Sequence, residues 1–299
     1  MDASRWVELR ELITRHVLAD GVPQRLLPNV TLGRNIAPTP PFAYVAEPLF
    51  ALVAQGVKHI GVGNEVFDYG AGQYLIVSVD LPLEGHVIKA TANAPFLGLG
   101  FTLRPESIAA LLLEANVASP SPHSAPPGIA VNDITQELLD SVIRLLKLLD
   151  RPADIPVLGP AIEREIIWRL INGQQGTMVR QIGLADSRMS QIGRAIRRIR
   201  SHYAHTLRIE ELAGIAGMSV TSFHRHFRTV TSMTPVQYQK QIRLQTARSQ
   251  LMSTAQDVAE AGFAVGYHSP SQFSREYRRL FGQPPGKDGE RLRQSDVNK

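Results

Sequence analysis

The chain has 299 residues, is 43% hydrophobic, and carries 32 Lys and Arg against 27 Asp and Glu, a net charge of +5. That length exceeds what one hydrophobic core spans, so two or more domains are expected, and that apolar fraction excludes a mainly disordered polymer. Cysteine is absent, which excludes disulfides, thiolate metal sites, cysteine nucleophiles and thiol redox sensing.

No apolar run approaches the roughly 18 residues that cross a bilayer. The opening Met1-Asp2-Ala3-Ser4-Arg5-Trp6 has no apolar block behind it, so no secretory signal is read and the expectation is a cytoplasmic protein without a membrane partner. The charge is uneven. From Gly193 to Lys299 there are 17 Lys and Arg against 8 Asp and Glu, a net of +9, while residues 1–192 carry a net of −4. A basic third on an acidic remainder suits a polyanion met at one end only. Solvated helix faces account for such charge about equally well.

In chain order, residues 6–18 read as a helix that covers a sheet edge. Runs at 50–55, 58–62, 66–69, 74–79, 86–91 and 97–103 are short and β-rich, with Gly, Asn or Pro between them. They predict antiparallel hairpins closing into a sandwich or barrel. A helix at 105–116 follows, and the Pro- and Ser-rich stretch 118–128 reads as a linker. Residues 133–149 place Ile134, Leu138, Val142, Leu145 and Leu149 at helical spacing, and 160–171 do the same with Ile162, Ile166, Ile167 and Leu170. Such stripes serve as intradomain core or, more sharply, as a dimer seam.

From about Asp186 the chain is helical throughout, and it repeats. Ser219-Val220-Thr221-Ser222-Phe223-His224-Arg225-His226-Phe227-Arg228 returns fifty residues later as Ser269-Pro270-Ser271-Gln272-Phe273-Ser274-Arg275-Glu276-Tyr277-Arg278. Each copy opens on Ser, a preferred N-cap, and the second has Pro at N1. Phe223, Phe227 and Val230 fall on one face, as do Phe273, Tyr277 and Leu280. Thr221, Arg225 and Arg228 fall on another, as do Ser271, Arg275 and Arg278. His224 and Ser274 flank these polar stripes. A helix so divided can anchor one side and offer guanidinium groups to bases and phosphates in a DNA major groove. One copy would be no more than an amphipathic surface helix.

Each copy is preceded by a short helix ending in Gly, at Gly217-Met218 and at Gly266-Tyr267. Helix, left-handed Gly turn and capped helix make a helix-turn-helix. Thr234 and Pro235 cap a connecting helix to about Met252, long enough at 1.5 Å per residue to hold two recognition helices near successive major grooves.

The string Leu212-Ala213, Ala216-Gly217-Met218-Ser219, Phe223, Phe227, Pro235, Tyr238, Arg243-Leu244, Ala247, Gly266-Tyr267, Ser269, Phe273-Ser274-Arg275 and Phe281-Gly282 resembles the AraC/XylS family of bacterial transcription regulators over residues 194–285. Pro38-Thr39-Pro40, residues 52–58 and residues 74–82 resemble the sensor of one subgroup, over residues 11–114. The resemblance implies an α+β multidomain chain. A cupin-like antiparallel barrel or sandwich with flanking helices would occupy residues 1–117, a helical connector and dimerisation region 118–185, and an all-α domain with two helix-turn-helix units 186–299. It implies double-stranded DNA with a bipartite operator as partner, an unidentified small-molecule effector, RNA polymerase as a further partner, a homodimer and no cofactor.

Three departures from the family pattern carry consequences. Ser232 stands where Gly is usual, which costs about 1 kcal/mol if that residue is left-handed. Ala261-Gly262 replaces an Ile-Ala pair, which should loosen the supporting helix of the second unit. The usual closing Tyr-Arg is missing after Gly282, so the second unit is expected to be the less stable one.

Catalysis is weighed against this. His59 and His86 stand apart, without the His pair and nearby Glu of a metallo-cupin, and no Gly-x-Ser-x-Gly elbow or phosphate-binding loop occurs. No catalytic or metal residue is assigned. The alternative to a DNA-binding regulator is a small-molecule-binding cupin-like enzyme with a basic tail.

Overall fold

The computed structural model describes residues 2–116, 126–253 and 257–297, so most of the linker read at 118–128 lies outside the described residues. The chain divides into two compact units, Met1–Gly193 with Arg225–Ser232, and Arg194–His224 with Met233–Lys299.

The first unit opens on α1 (Ala3–His16), whose N-cap Asp2 accepts a hydrogen bond from the Ser4 amide. Nine strands follow: β1 (Gln24–Leu27), β2 (Val30–Asn35), β3 (Phe42–Ala46), β4 (Leu49–Gln55), β5 (Val57–Val62), β6 (Glu65–Gly70), β7 (Gln73–Val77), β8 (Leu81–Lys89) and β9 (Phe96–Thr102). After α2 (Pro105–Glu114) comes β10 (Ile129–Asp133), then α3 (Gln136–Lys147), α4 (Ile155–Ile171) and α5 (Gly176–Gly183).

The strands form a six-stranded sheet ordered β1-β2-β9-β4-β7-β10 and a four-stranded sheet ordered β3-β8-β5-β6, antiparallel throughout. This is the antiparallel, sheet-rich unit with flanking helices that was expected. The chain crosses from β4 to β5 at Gly56, where φ is +85° and a Cβ would sit 2.5 Å from the Lys89 carbonyl. Only glycine fits there. Helix α1 buries Leu9, Leu12 and Ile13 and packs on β2, β4 and β9.

Four strands escaped the sequence reading. β1 and β2 are short and interrupted by Arg and Gly, β3 follows a Pro-rich stretch, and β10 finds its partner β7 more than fifty residues back. Pro82 does not end a strand but lies inside β8. It pairs with Val45 on β3, and the pairing of β8 with β5 begins only at Glu84, so the missing N–H breaks no ladder. Helix α4 starts at Ile155 rather than Pro160, because Pro156 already occupies the first turn. Helix α5 was not anticipated. A Cβ on its Gly183 would come within 2.8 Å of Ala109 and Ile108 atoms, so the absent side chain is what lets α2 and α5 approach backbone to backbone.

The α3 stripe is interior. Ile134, Leu138, Val142 and Leu145 are all buried within the chain, with α3 packed on α1 and α4. The dimer-seam reading of that stripe is therefore corrected to intrachain core. β10 completes the six-stranded sheet, and the first unit runs on to Gly193.

The second unit takes in most of α6 (Arg188–Ser201), then α7 (Ile209–Ala216), the start of α8 (Val220–Thr231), α9 (Pro235–Ser253), α10 (Val258–Ala264), α11 (Pro270–Phe281) and α12 (Pro285–Val297). Leu244, Ala247 and Leu251 of α9 share a core with Ala261, Val265, Tyr267, Phe273 and Tyr277. Gly262 of α10 faces Phe273 of α11. A Cβ there would lie 3.0 Å from the Phe273 ring, so the missing methyl lets the ring pack directly on α10.

The absent closing Tyr-Arg is offset in another way. Helix α12 brings Asp288, fully buried, to Arg248 of α9 at 2.8 Å and to the Tyr277 hydroxyl at 3.0 Å, with Arg291 adding a third contact at 2.8 Å. Burial opposes ionisation of Asp288, but Arg291, Arg248 and Tyr277 outweigh it and hold its pKa below the usual carboxylate range. Asp288→Ala would strand the Arg248 charge and is expected to cost about 3–5 kcal/mol, read from a urea titration. Because the folded pKa is the lower one, Asp288's contribution is full above the unfolded value of 3.8 and disappears as pH falls through the depressed one.

Candidate nucleic-acid interface

The same turn is built twice. After α7, Gly217 takes φ +66°, its amide bonds the Gly214 carbonyl at 2.9 Å, and the Met218 amide bonds Ala213 at 2.9 Å. After α10, Gly266 takes φ +89°, its amide bonds Phe263 at 2.9 Å, and the Tyr267 amide bonds Gly262 at 3.0 Å. Both are Schellman closures, which end one helix and free the chain to begin the next. The caps match as well: Ser219 Oγ accepts from the Ser222 amide at 3.3 Å, and Ser269 Oγ from the Gln272 amide at 3.4 Å.

The helices so released divide as their periodicity predicts. Phe223, Phe227 and Val230 are buried, as are Phe273 and Tyr277, while Leu280 is half-buried. Thr221, His224, Arg225 and Arg228 are exposed on α8, and Ser271, Arg275 and Arg278 on α11. Ser274 alone of the expected residues is half-buried. Among the described residues no carboxylate pairs with Arg225, Arg228, Arg275 or Arg278. Glu276, beside Arg275, is tied up elsewhere: it bonds Lys240 Nζ at 2.9 Å and accepts from the Tyr267 hydroxyl at 2.8 Å. Burial works against its ionisation, yet Lys240, Tyr267 and Gln272 hold its pKa below the usual range. The carboxylate therefore braces α11 from within and does not quench its outer charge.

Helix α9 is 19 residues, about 28 Å long. Two of its side chains do structural work that the sequence did not single out. Gln239 donates to the carbonyls of Tyr203 and His205 at 3.0 and 2.7 Å. Arg243 donates to the same two at 2.6 and 3.0 Å and to Gly266 at 3.0 Å, so one guanidinium fixes the turn that precedes α11. A motif Arg on an otherwise half-buried helix was the available signal. Between α8 and α9, Ser232 is left-handed at φ +57°, as its position in place of Gly implied.

In the first unit, His59 and His86 do not stand apart. They face each other across β5 and β8 with ring centroids 4.7 Å apart, and His59 Nδ1 lies 2.6 Å from Asp68. Strand pairing joined residues that sequence distance had separated. Among the described residues no group of three or more His, Asp or Glu is placed to hold a metal. A groove of about 580 Å³ between α1 and the sheet is lined by Arg10, Thr14, Arg34, Gln55 and Leu97.

Comparison with known proteins agrees in both halves. Residues 26–178 match the family described as AraC-type transcriptional regulator N-terminus, and residues 212–291 match a helix-turn-helix domain. The transcriptional regulator ArgR of Pseudomonas aeruginosa is 26% identical over 144 residues, 48% of this chain and 44% of that protein. The transcriptional activator RclR of Escherichia coli is 36% identical over 104 residues, 35% and 37% of the two chains. The chain thus spans less than half the length of either relative. In fold, the chain is similar to ToxT from Vibrio cholerae, solved with an unsaturated fatty acid, at a TM-score of 0.53 and 8% identity, covering 89% of this chain and 96% of that one.

The two turn glycines differ in surroundings. A Cβ at Gly217 meets open space, whereas one at Gly266 would collide with the Ala204 carbonyl. Gly217→Ala is expected to cost about 1–2 kcal/mol, the left-handed penalty alone. Gly266→Ala should cost clearly more, and paired urea titrations of the two variants would show the difference.

Proposed function

The chain belongs to the family of AraC-type transcriptional regulators, and on that premise we propose that it binds a specific double-stranded DNA site through α8 and α11 and answers to a small-molecule effector held by its β-rich unit. One observation carries the reading: two capped helices leave identical glycine turns, each with exposed guanidinium groups that no described carboxylate neutralises. In the major groove such groups bond guanine edges bidentately or grip phosphate. Arg225 and Arg275, central on their helices, are assigned to bases. Arg228 and Arg278, nearer the helix ends, are assigned to phosphate, with Thr221, His224, Ser271 and Ser274 in supporting contacts. The relatives described above are transcriptional regulators by name, and the reading assigns this chain no catalytic role. Among the described residues no helix is long and apolar enough to cross a membrane, and DNA as partner makes the cytoplasm the working location.

We read the functional unit as a homodimer on a bipartite operator, with RNA polymerase as a further partner. Since the α3 stripe is interior, the surface that supports pairing is instead the apolar one of α4 and the end of α2, where Val157, Leu158, Trp168 and Leu113 are exposed. Pairing would add avidity without any new base contact. Sedimentation at micromolar concentration, with and without DNA, should give a dimer that Val157→Glu disrupts; a strict monomer in both conditions would remove this part of the reading.

Gel shifts on the DNA upstream of the protein's own gene test the rest. Arg225→Ala is expected to lose about 1–3 kcal/mol on specific DNA and to relax one operator position. Arg228→Ala should weaken specific and random DNA alike and flatten the salt slope by about one. Equal losses on both DNAs for Arg225→Ala would refute the base-reading assignment, and absence of any salt-sensitive specific binding would refute the function.

A further inference from the structure

Lysine is an unusual residue for the inner face of a sheet, because its ammonium is costly to take from water without a partner. Lys58 occupies such a position. Its cross-strand partner is Tyr69, which is 2% exposed, and it lies two residues from the fully buried Ile60 on the same face of β5. A bulge sets it there: Val57 pairs with Lys89 but Lys58 pairs with Val87, so Ile88 is the extra residue that re-aims the strand. Glu65, opposite Val62 at the far end of the Lys58 row, accepts from the Ser232 hydroxyl at 2.6 Å, and the other neighbouring carboxylates lie on the other face. Asp68 bonds His59, and Glu84 sits beside Gly61 in the same outer row. Among the described residues no carboxylate pairs with Lys58; its Nζ lies 5.9 Å from the centre of the Tyr44 ring.

Two phenols converge on the same place. Tyr44 leans over β8 toward β5, and it can do so because residue 85 is Gly: a Cβ there would lie 3.3 Å from its ring and 3.5 Å from its hydroxyl. Tyr69 is 2% exposed as a residue, and its hydroxyl makes no hydrogen bond among the described residues. Burial, and then the nearby Tyr44, push its pKa far above the phenolic range, so it is a donor at any working pH. Opposite, the six-stranded sheet turns small residues to the face away from α1. Thr31, Gly100 and Ala51 share one row, Gly33 lies in the next, and a Cβ on Gly33 would touch no atom within 4 Å.

One ammonium and two phenolic O–H groups, with no described carboxylate paired to the ammonium and apolar Ile60 and Val87 alongside, form a donor set for a single negative charge. We propose that the β-rich unit binds an apolar-bodied monocarboxylate, its carboxylate on Lys58 Nζ and the hydroxyls of Tyr44 and Tyr69. A carboxylate fits better than a phosphate dianion because one lysine balances one charge. This deepens the effector reading above and rests on it for its role, but the binding itself is tested without DNA.

The full-length protein is mixed with benzoate, phenylacetate or octanoate, and with the methyl ester of each, at about 10 mM. Thermal unfolding and titration calorimetry are the readouts. At least one acid should raise the Tm while its ester does not. Lys58→Met should weaken that acid at least about tenfold, and Lys58→Arg should restore part of the binding. Tyr69→Phe and Tyr44→Phe, which keep the ring volumes, should each weaken it by about three- to tenfold with the unliganded Tm near wild type, and they decide the matter should Lys58→Met fail to fold. The proposal is overturned if no acid binds, if ester and acid bind alike, or if the lysine and tyrosine variants bind as the wild type does. A protein that shifts operator DNA yet takes no carboxylate loses only this proposal; one that takes the carboxylate but shifts no DNA loses only the regulator reading.

Discussion

Both helices of the proposed DNA interface, α8 and α11, depend on a backbone conformation that most residues avoid. A left-handed residue at Gly217 and at Gly266 lets two amides turn back on the preceding helix, so the chain leaves that helix with its last carbonyls satisfied. Without that turn the polar stripes would continue the line of α7 and α10 and present no separate face. The aromatic anchors then set the roll of each helix: Phe223 and Phe227 on α8, Phe273 and Tyr277 on α11, all buried. Once those rings are buried, the 3.6-residue period leaves the guanidinium groups outside.

The second copy is supported by polar chemistry as well as by its apolar core. Gly262 and Ala261 bring little side chain to the core. In exchange, Phe273 packs directly on α10, Arg243 gathers three carbonyls, and Asp288 meets Arg248, Arg291 and Tyr277. Charged hydrogen bonds of this kind are worth more than neutral ones, but only while every partner is present. A unit so built is specific in geometry and sensitive to single deletions.

In the first unit the equivalent constraint is strand register. One extra residue at Ile88 and one missing side chain at Gly85 determine that Lys58 and Tyr44 share the inner face of the four-stranded sheet. A one-residue slip would return Lys58 to the outer face with His59's neighbours. The His59–His86 pair follows from the same register on the opposite face.

Local chemistry alone made the C-terminal architecture legible. Caps, turn glycines and a duplicated apolar period act within a dozen residues, so Ser219, Gly217, Ser269 and Gly266 declared their roles without any partner. Several strands were legible for the same reason, each bounded by Gly or Pro. Long-range pairing was not. β10 joins β7 across α2 and the linker, α3 turns its stripe inward because α1 and α4 cover it, and Asp288 becomes a buried anion only where α12 meets α9. The sequence determined which segments are helix or strand and which face of each is apolar, since those follow from neighbours in the chain. What each apolar face packs against, and which charges are taken out of water, only the tertiary structure decided, because burial and pairing are properties of residues brought together from far apart.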